Sequence, residues 1–259
     1  MNIVVLVKQV PDTYAERDLN PSDNTLNRDS VDAVINEVDE QGIEAALRLK
    51  EANGGTVVVM SMGPERASET IRKGLNMGAD SGYLITDPAL HGACAVQTAQ
   101  VIGKALSTLE WDLVITGGES TDARLAVLPA MIAEVLGRPQ LTQGKKITVD
   151  GGTVTVERAS DTGHLVLQAS TPAVVSLLEN TNEARYPSFK GIMAGKSKPI
   201  QKVSLADLGI SPDEVGLANA TTAVVGFEKR PPRQGGQAVK DEGDGGVKIA
   251  DFLAASKLL

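Results

Sequence analysis

The chain opens on a short apolar run, Ile3-Val4-Val5-Leu6-Val7, with the pattern of a strand covered on both faces. From Gln9 to Asp32 it turns polar, with Pro11-Asp12 and Asn20-Pro21-Ser22-Asp23-Asn24, which predicts loop or hairpin. Between Val38 and Ala52 the apolar positions Val38, Ala45/Ala46 and Leu49 recur at helical spacing, and Gly54-Gly55 end the helix. Thr56–Met60 is a second buried strand. Gly63-Pro64 opens a helix with Ala67, Ile71 and Leu75 on one face, closed by Gly78. The alternation then repeats: strand over Gly82–Thr86, helix over Ala93–Leu109, strand over Leu113–Thr116, helix over Leu125–Leu136. Such βαβ units predict an α/β fold on a mainly parallel, doubly wound sheet.

Beyond Pro139 the texture changes. Lys145–Val149, Thr153–Arg158 and Leu165–Gln168 are short and joined by turns at Asp150-Gly151-Gly152 and Asp161-Thr162-Gly163, which predicts an antiparallel hairpin addition. Ala173–Leu177 returns to the buried-strand pattern. Asn182–Pro199, rich in Lys, Gly and Pro, is expected to hold no regular element. Glu228–Gly246 contains Pro231-Pro232 and repeated glycines and reads as a linker. Val247–Leu258 is a closing helix with Ile249, Phe252 and Leu253 apolar. The division expected is an α/β nucleotide-binding domain over 1–226 and a linker with a C-terminal arm over 227–259.

Aromatic residues make up only 3% of the 259, so the core must be aliphatic. A net charge of −8 and a pI near 4.9 disfavour a nucleic-acid partner, which needs a basic footprint. The single cysteine, Cys94, excludes an internal disulfide and suits a reducing compartment. The first apolar run is too short for a signal peptide or a membrane span. A cytoplasmic protein, not embedded in a membrane, is expected.

In open α/β sheets ligands bind beyond the carboxyl ends of the strands. Three such ends stand out: Lys8-Gln9, Ser61-Met62-Gly63 and Gly117-Gly118-Glu119-Ser120-Thr121-Asp122. In the last, two glycines let backbone approach a ligand, two hydroxyls follow, and the next helix offers free N–H groups to an anion. The same residues could equally cap the helix at Leu125. No P-loop lysine pattern and no G-x-G-x-x-G is present. His91 and His164 lie on separate segments without metal spacing, and no G-x-S-x-G elbow occurs. Cys94 is expected as a small core hydrophobe, and no metal or catalytic group is predicted.

One ordered set of residues goes further: Glu157-Arg158 with Asp161-x-Gly163, Pro172-Ala173-Val174-Val175, Asn182-Glu183-x-Arg185-Tyr186-Pro187-Ser188, and Ile192-Met193 followed by Lys198-Pro199. With Val7-Lys8-Gln9-Val10-Pro11-Asp12, Glu69-Thr70-Ile71-Arg72, Met77-Gly78-Ala79-Asp80 and Trp111-Asp112-Leu113-Val114, it resembles electron-transfer flavoprotein β subunits along essentially the whole chain.

The resemblance implies an adenine-nucleotide-binding type of sheet. It implies a heterodimer with an α subunit, a shared FAD held mainly by α, and an AMP in the β subunit. Electrons would come from acyl-CoA and other dehydrogenases and pass to a membrane quinone oxidoreductase. The nucleotide residues implied are Leu6, Asn36, Glu37, Val38, Asp39 and Met62, with Gly117, Gly118, Glu119, Ser120, Thr121, Asp122, Ala123, Arg124, Leu125, Ala126, Val127 and Leu128. Main-chain N–H groups of Ser120 to Arg124 would hold the phosphate. Partner docking would fall to Arg185, Tyr186, Pro187, Ser188, Phe189, Ile192 and Met193, with Phe189 as the apolar anchor in an exposed loop. The chain departs from the family at Ala126-Val127-Leu128-Pro129, at Ala159 after Arg158, and at Thr13, where the family places a flavin-side tyrosine. The alternatives are a bifurcating subunit with a second FAD in place of AMP, and a universal-stress-type nucleotide sensor acting alone.

Overall fold

The centre of the sheet is β1 (Asn2–Leu6), because its alternate side chains serve two different cores. Ile3 and Val5 face one side, with Ile43, Leu47, Ile71 and Leu75; Val4 and Leu6 face the other, with Val101, Leu106 and Ile132. A strand with apolar residues on both faces can only be satisfied between two helical layers. All hydrogen-bonded neighbours in the sheet are parallel, in the order β12 (Ile200–Val203), β5 (Ser81–Ile85), β4 (Thr56–Met62), β1, β6 (Leu113–Gly117), β11 (Ala173–Leu177), β7 (Gln140–Gly144). This computed structural model describes residues 1–232, 235, 236 and 238–259, in two units, Met1–Val225 and Gly226–Leu259.

In the first unit α1 (Glu37–Asn53) carries Glu37, Asp39 and Glu40 in its first turn and Lys50 in its last, matching the helix dipole. Gly54, at φ 71°, stops it. α2 (Ser68–Met77) follows a short 3-10 turn and stops at Gly78. α3 (Ala95–Leu106) and α4 (Leu128–Leu136) cover the opposite face, so the sheet is doubly wound as expected. α4 starts three residues later than the sequence pattern suggests. Arg124 and Ala126 have φ of 48° and 56°, in the left-handed region, and the chain cannot be helical through them.

Gln9–Pro11 (β2) and Ala33–Ile35 (β3) pair as a small antiparallel ribbon beside the end of β1. The hairpin addition is a three-stranded antiparallel sheet of β8 (Lys146–Asp150), β9 (Thr153–Ser160) and β10 (Gly163–Ser170). Val154 and Val156 of β9 plug into the core on the α1 side. β10 is an outer edge; it carries no charged residue or proline, and its Leu165 and Val166 are exposed.

Asn182–Pro199 does hold a regular element, contrary to its composition: α5 (Phe189–Ser197), packed on α2. β7 and β12 are also strands that the apolar pattern does not announce. In the second unit α6 (Gly245–Ala255) is preceded by residues without helix or strand among those described; of the predicted linker, 233, 234 and 237 lie outside the described residues. Val247, Ile249 and Phe252 on α6 are exposed. No helix among the described residues is long and apolar enough to cross a membrane.

Candidate functional site

From β1 the chain enters α1 on one face of the sheet; from β6 it enters α4 on the other. β1 and β6 are neighbours, so their following loops part and leave a crevice at the switch of strand order, where open α/β sheets bind ligands. Leu6 and Met62 stand at the ends of β1 and β4, Asn36 to Asp39 at the start of α1, and Gly117 to Leu128 after β6. The fold therefore brings every predicted nucleotide residue to one end of the sheet.

Asn36 fastens the two loops together. Its Nδ2 donates to the Glu119 carbonyl at 3.0 Å and to Asp39 Oδ1 at 2.9 Å, and its Oδ1 accepts from Thr121 N at 3.0 Å. Asp39 is buried and also accepts the Lys8 N–H at 2.8 Å. Burial pushes its carboxyl up to about 7, against these donors. Gly117 must be glycine here, since an added Cβ would collide with Asp39 Oδ1 and lie 3.3 Å from Val38 Cβ.

Three charges meet in the loop. Asp122, its side chain 0% exposed, accepts from Lys8 Nζ at 2.8 Å and from Arg28 Nη2 at 3.0 Å; Lys8 Nζ also reaches Ser120 Oγ at 3.2 Å. Burial works against the Asp122 carboxylate, but Lys8 and Arg28 outweigh it and hold the group below the usual range. Burial likewise lowers the Lys8 amine, with Asp122 opposing.

Two of the five N–H groups expected to cradle a phosphate, those of Thr121 and Arg124, are engaged within the protein. Thr121 N–H is already given to Asn36 and Arg124 N–H to the Ser120 carbonyl at 2.9 Å, while α4 begins too late to offer its N-terminus at Leu125. The residues still fit a phosphate by another route. Lys8 and Arg28 bring two cations to the loop, offset by Asp122 and in part by the buried Asp39, and neither the buried Thr121 Oγ1 nor Ser61 Oγ at the end of β4 has a hydrogen-bond partner. Leu125, Ala126 and Val127 are exposed.

Beside Gly118 an open cleft of about 520 Å³ is lined by Val38, Gly118, Glu119, Arg124, Gln143 and Asn180, among others. Arg124, Gln143 and Asn180 have φ of 48°, 62° and 63°, so three of its walls are non-glycine residues in the left-handed region. Such backbone costs about 1–3 kcal/mol per residue and gathers where geometry is over-determined. Sequence reasoning missed Arg28, Gln143 and Asn180. Arg28 sits in a polar loop with no signal, while Gln143 lies near the end of β7 and Asn180 just after β11, two strands whose neighbourhood appears only on folding.

The predicted docking residues form a separate cluster. Arg185 donates to Glu44 Oε2 at 2.6 Å and Glu51 Oε1 at 2.6 Å, fixing the segment to α1. Tyr186 and Phe189 are 94% and 81% exposed, and Ile192 and Met193 are exposed too, but on a helix rather than a loop. Ser188 caps that helix, accepting from Gly191 N at 3.0 Å. Pro187 is half-buried. Of the pair after β2, Thr13 is half-buried and Tyr14 is 94% exposed, so Tyr14 is the aromatic that a partner can reach. Arg158 turns inward, donating to the Thr142 carbonyl at 2.6 Å. Cys94 is buried, as expected, and also caps α3; burial opposes its ionisation, yet hydrogen bonds from Gln97, Thr221 and Val96 bring the thiol down to about 7.

The family model for the electron transfer flavoprotein domain matches residues 23–208. The chain belongs to the electron transfer flavoprotein family. It is 48% identical to the electron transfer flavoprotein subunit beta of Mycobacterium tuberculosis (strain ATCC 25618 / H37Rv), covering 100% of this chain and 99% of that one. It is 34% identical to the subunit beta of Megasphaera elsdenii, over 100% of both chains. Against the caffeyl-CoA reductase-Etf complex subunit CarD of Acetobacterium woodii the identity is 36%, over 91% of this chain and 90% of that one. Within this family the chain is of the β-subunit type, and its role is electron transfer.

Proposed function

We propose that the chain is the β half of an α/β electron-transfer flavoprotein that takes electrons from dehydrogenases, acyl-CoA dehydrogenases among them, and hands them to a membrane quinone oxidoreductase from the cytoplasm. FAD would sit mainly on the α subunit and supply the redox chemistry when bound. AMP would occupy the crevice between β1 and β6. The observation that carries this is the crevice itself: loops stapled by Asn36, with Lys8 and Arg28 converging on one buried carboxylate and a spare buried hydroxyl on Thr121.

In that role the work of this chain is binding and orientation. Asn36 fixes the loop that touches the nucleotide, and Lys8 and Arg28 supply the positive charge for its phosphate. Gly117 and Gly118 let β6 end close against α1 and β11. The arm over 227–259 packs on the α subunit through the apolar side chains of α6, and Tyr14 faces the flavin side. Tyr186, Phe189, Ile192 and Met193 dock the dehydrogenase.

Co-expression with an α subunit, followed by chromatography and mass analysis of the released nucleotides, tests the proposal. One FAD and one AMP per heterodimer is expected, with a colourless chain when it is made alone. Stoichiometric FAD on the isolated chain would place the flavin wrongly. Two FAD and no AMP would favour the bifurcating alternative.

A further inference from the structure

The docking helix α5 cannot stand by its own sequence. It has nine residues, with glycine at 191 and 195, and isolated helices of that length are marginal even without glycine. Its exposed face gains nothing from the fold, since Phe189 and Met193 point into solvent. What holds it is α2. Arg72 Nη1 donates to the Gly195 carbonyl at 2.5 Å and the Lys198 carbonyl at 2.9 Å, satisfying the open end of α5. The favour is returned: Lys198 Nζ donates to the Ala79 carbonyl at 2.5 Å and Leu75 at 3.4 Å, at the open end of α2. Each helix thus ends on a cation supplied by the other segment, the favourable sign for both dipoles.

The backbones also touch. A Cβ on Gly191 would lie 2.6 Å from the Asn76 carbonyl oxygen; one on Gly195 would collide with Asn76 Oδ1 and sit 3.0 Å from Asn76 N and Cα. Asn76 Oδ1 is buried without a hydrogen-bond partner, at the point where α2 and α5 approach most closely. At the other end Arg185 anchors the segment on α1 through Glu44 and Glu51.

We propose that Arg72 is a positioning residue for partner docking: with Asn76 and the two glycines it locks α5 on α2, so that Phe189 and Met193 are presented in one fixed orientation. This rests on the assignment of α5 as the dehydrogenase-docking element. A pre-set anchor spares the complex the entropy of ordering it, so loosening α5 weakens association without altering the electron step.

The test uses the FAD-loaded heterodimer and an acyl-CoA dehydrogenase, measuring KM and kcat for the flavoprotein with FAD content and Tm. Arg72→Ala is expected to raise KM about tenfold at unchanged kcat and FAD content, and Arg72→Lys, which can still cap a carbonyl, to recover part of the loss. Phe189→Ala serves as the control for docking. If Phe189→Ala raises KM and a well-folded Arg72→Ala does not, the positioning role is overturned while docking stands. If Phe189→Ala leaves KM unchanged, the docking assignment itself is lost. Should Arg72→Ala fail to assemble, Gly195→Ala decides. It should raise KM at unchanged kcat and FAD content, because the added Cβ also meets the Asn76 backbone at 3.0 Å and must push α5 off α2; no rise overturns the lock.

Discussion

Asp122→Asn isolates the charge cluster of the crevice. The amide has the same shape, so the loop keeps its packing, but Lys8 and Arg28 lose the carboxylate they share at 2.8 Å and 3.0 Å. Removing one member of a buried pair costs about 3–5 kcal/mol when the remaining charge cannot reach water. Here Lys8 and Arg28 are 37% and 38% exposed in their side chains, so rehydration and screening bring the cost down to about 2 kcal/mol. At about 2–4 °C per kcal/mol for a chain of this size, Tm should fall about 4–8 °C near neutral pH. The pH dependence follows from the depressed Asp122 carboxyl. Its stabilisation is complete above the ordinary carboxylate range and is lost as pH falls through the depressed value, where the folded protein must take up the proton. Asparagine does not titrate there. Melting followed by far-ultraviolet circular dichroism at neutral pH and below about pH 4 should therefore show the gap between wild type and variant closing in acid. Equal Tm at neutral pH, or a gap that persists undiminished in acid, would refute the role given to the cluster.

Phe189→Ala should raise KM for the flavoprotein about thirtyfold, the worth of an anchor of about 2 kcal/mol, while a side chain 81% exposed leaves Tm within about a degree. A large fall in Tm would show that Phe189 supports the fold instead. Deleting Gly243–Leu259 should reduce co-purification with the α subunit while the circular dichroism of Met1–Val225 stays folded, because α6 lies in its own unit with Val247, Ile249 and Phe252 exposed. Undiminished co-purification would remove the arm from the interface.

The sheet was legible because apolar runs and 3.6-residue stripes report burial directly, and β1, β4, β5, β6 and β11 all have that signature. β7 did not: of Gln140–Gly144 only Leu141 and Gly144 are buried, and its place is set by parallel pairing with β11. α5 was hidden by its glycines, which read as loop until Asn76 and Arg72, more than a hundred residues earlier, give them a reason. The start of α4 was misplaced because nothing in Arg124 or Ala126 announces a left-handed backbone. In the crevice, the glycines and hydroxyls after β6 were visible as a candidate loop. That Asp122 occupies Lys8 and Arg28, which come from distant parts of the chain, depends on closure of the fold.

The outer edge of β10 bears on how this chain must be made. Proteins ordinarily defend a free strand edge with lysine, proline or a bulge, since unpaired backbone beside apolar side chains will zip to any like strand. Gly163–Ser170 carries none of those charges or prolines, and Leu165 and Val166 lie open on it. Like-to-like pairing is therefore held off only by whatever covers that edge first. Copies made with that edge uncovered are expected to meet one another there, strand against strand.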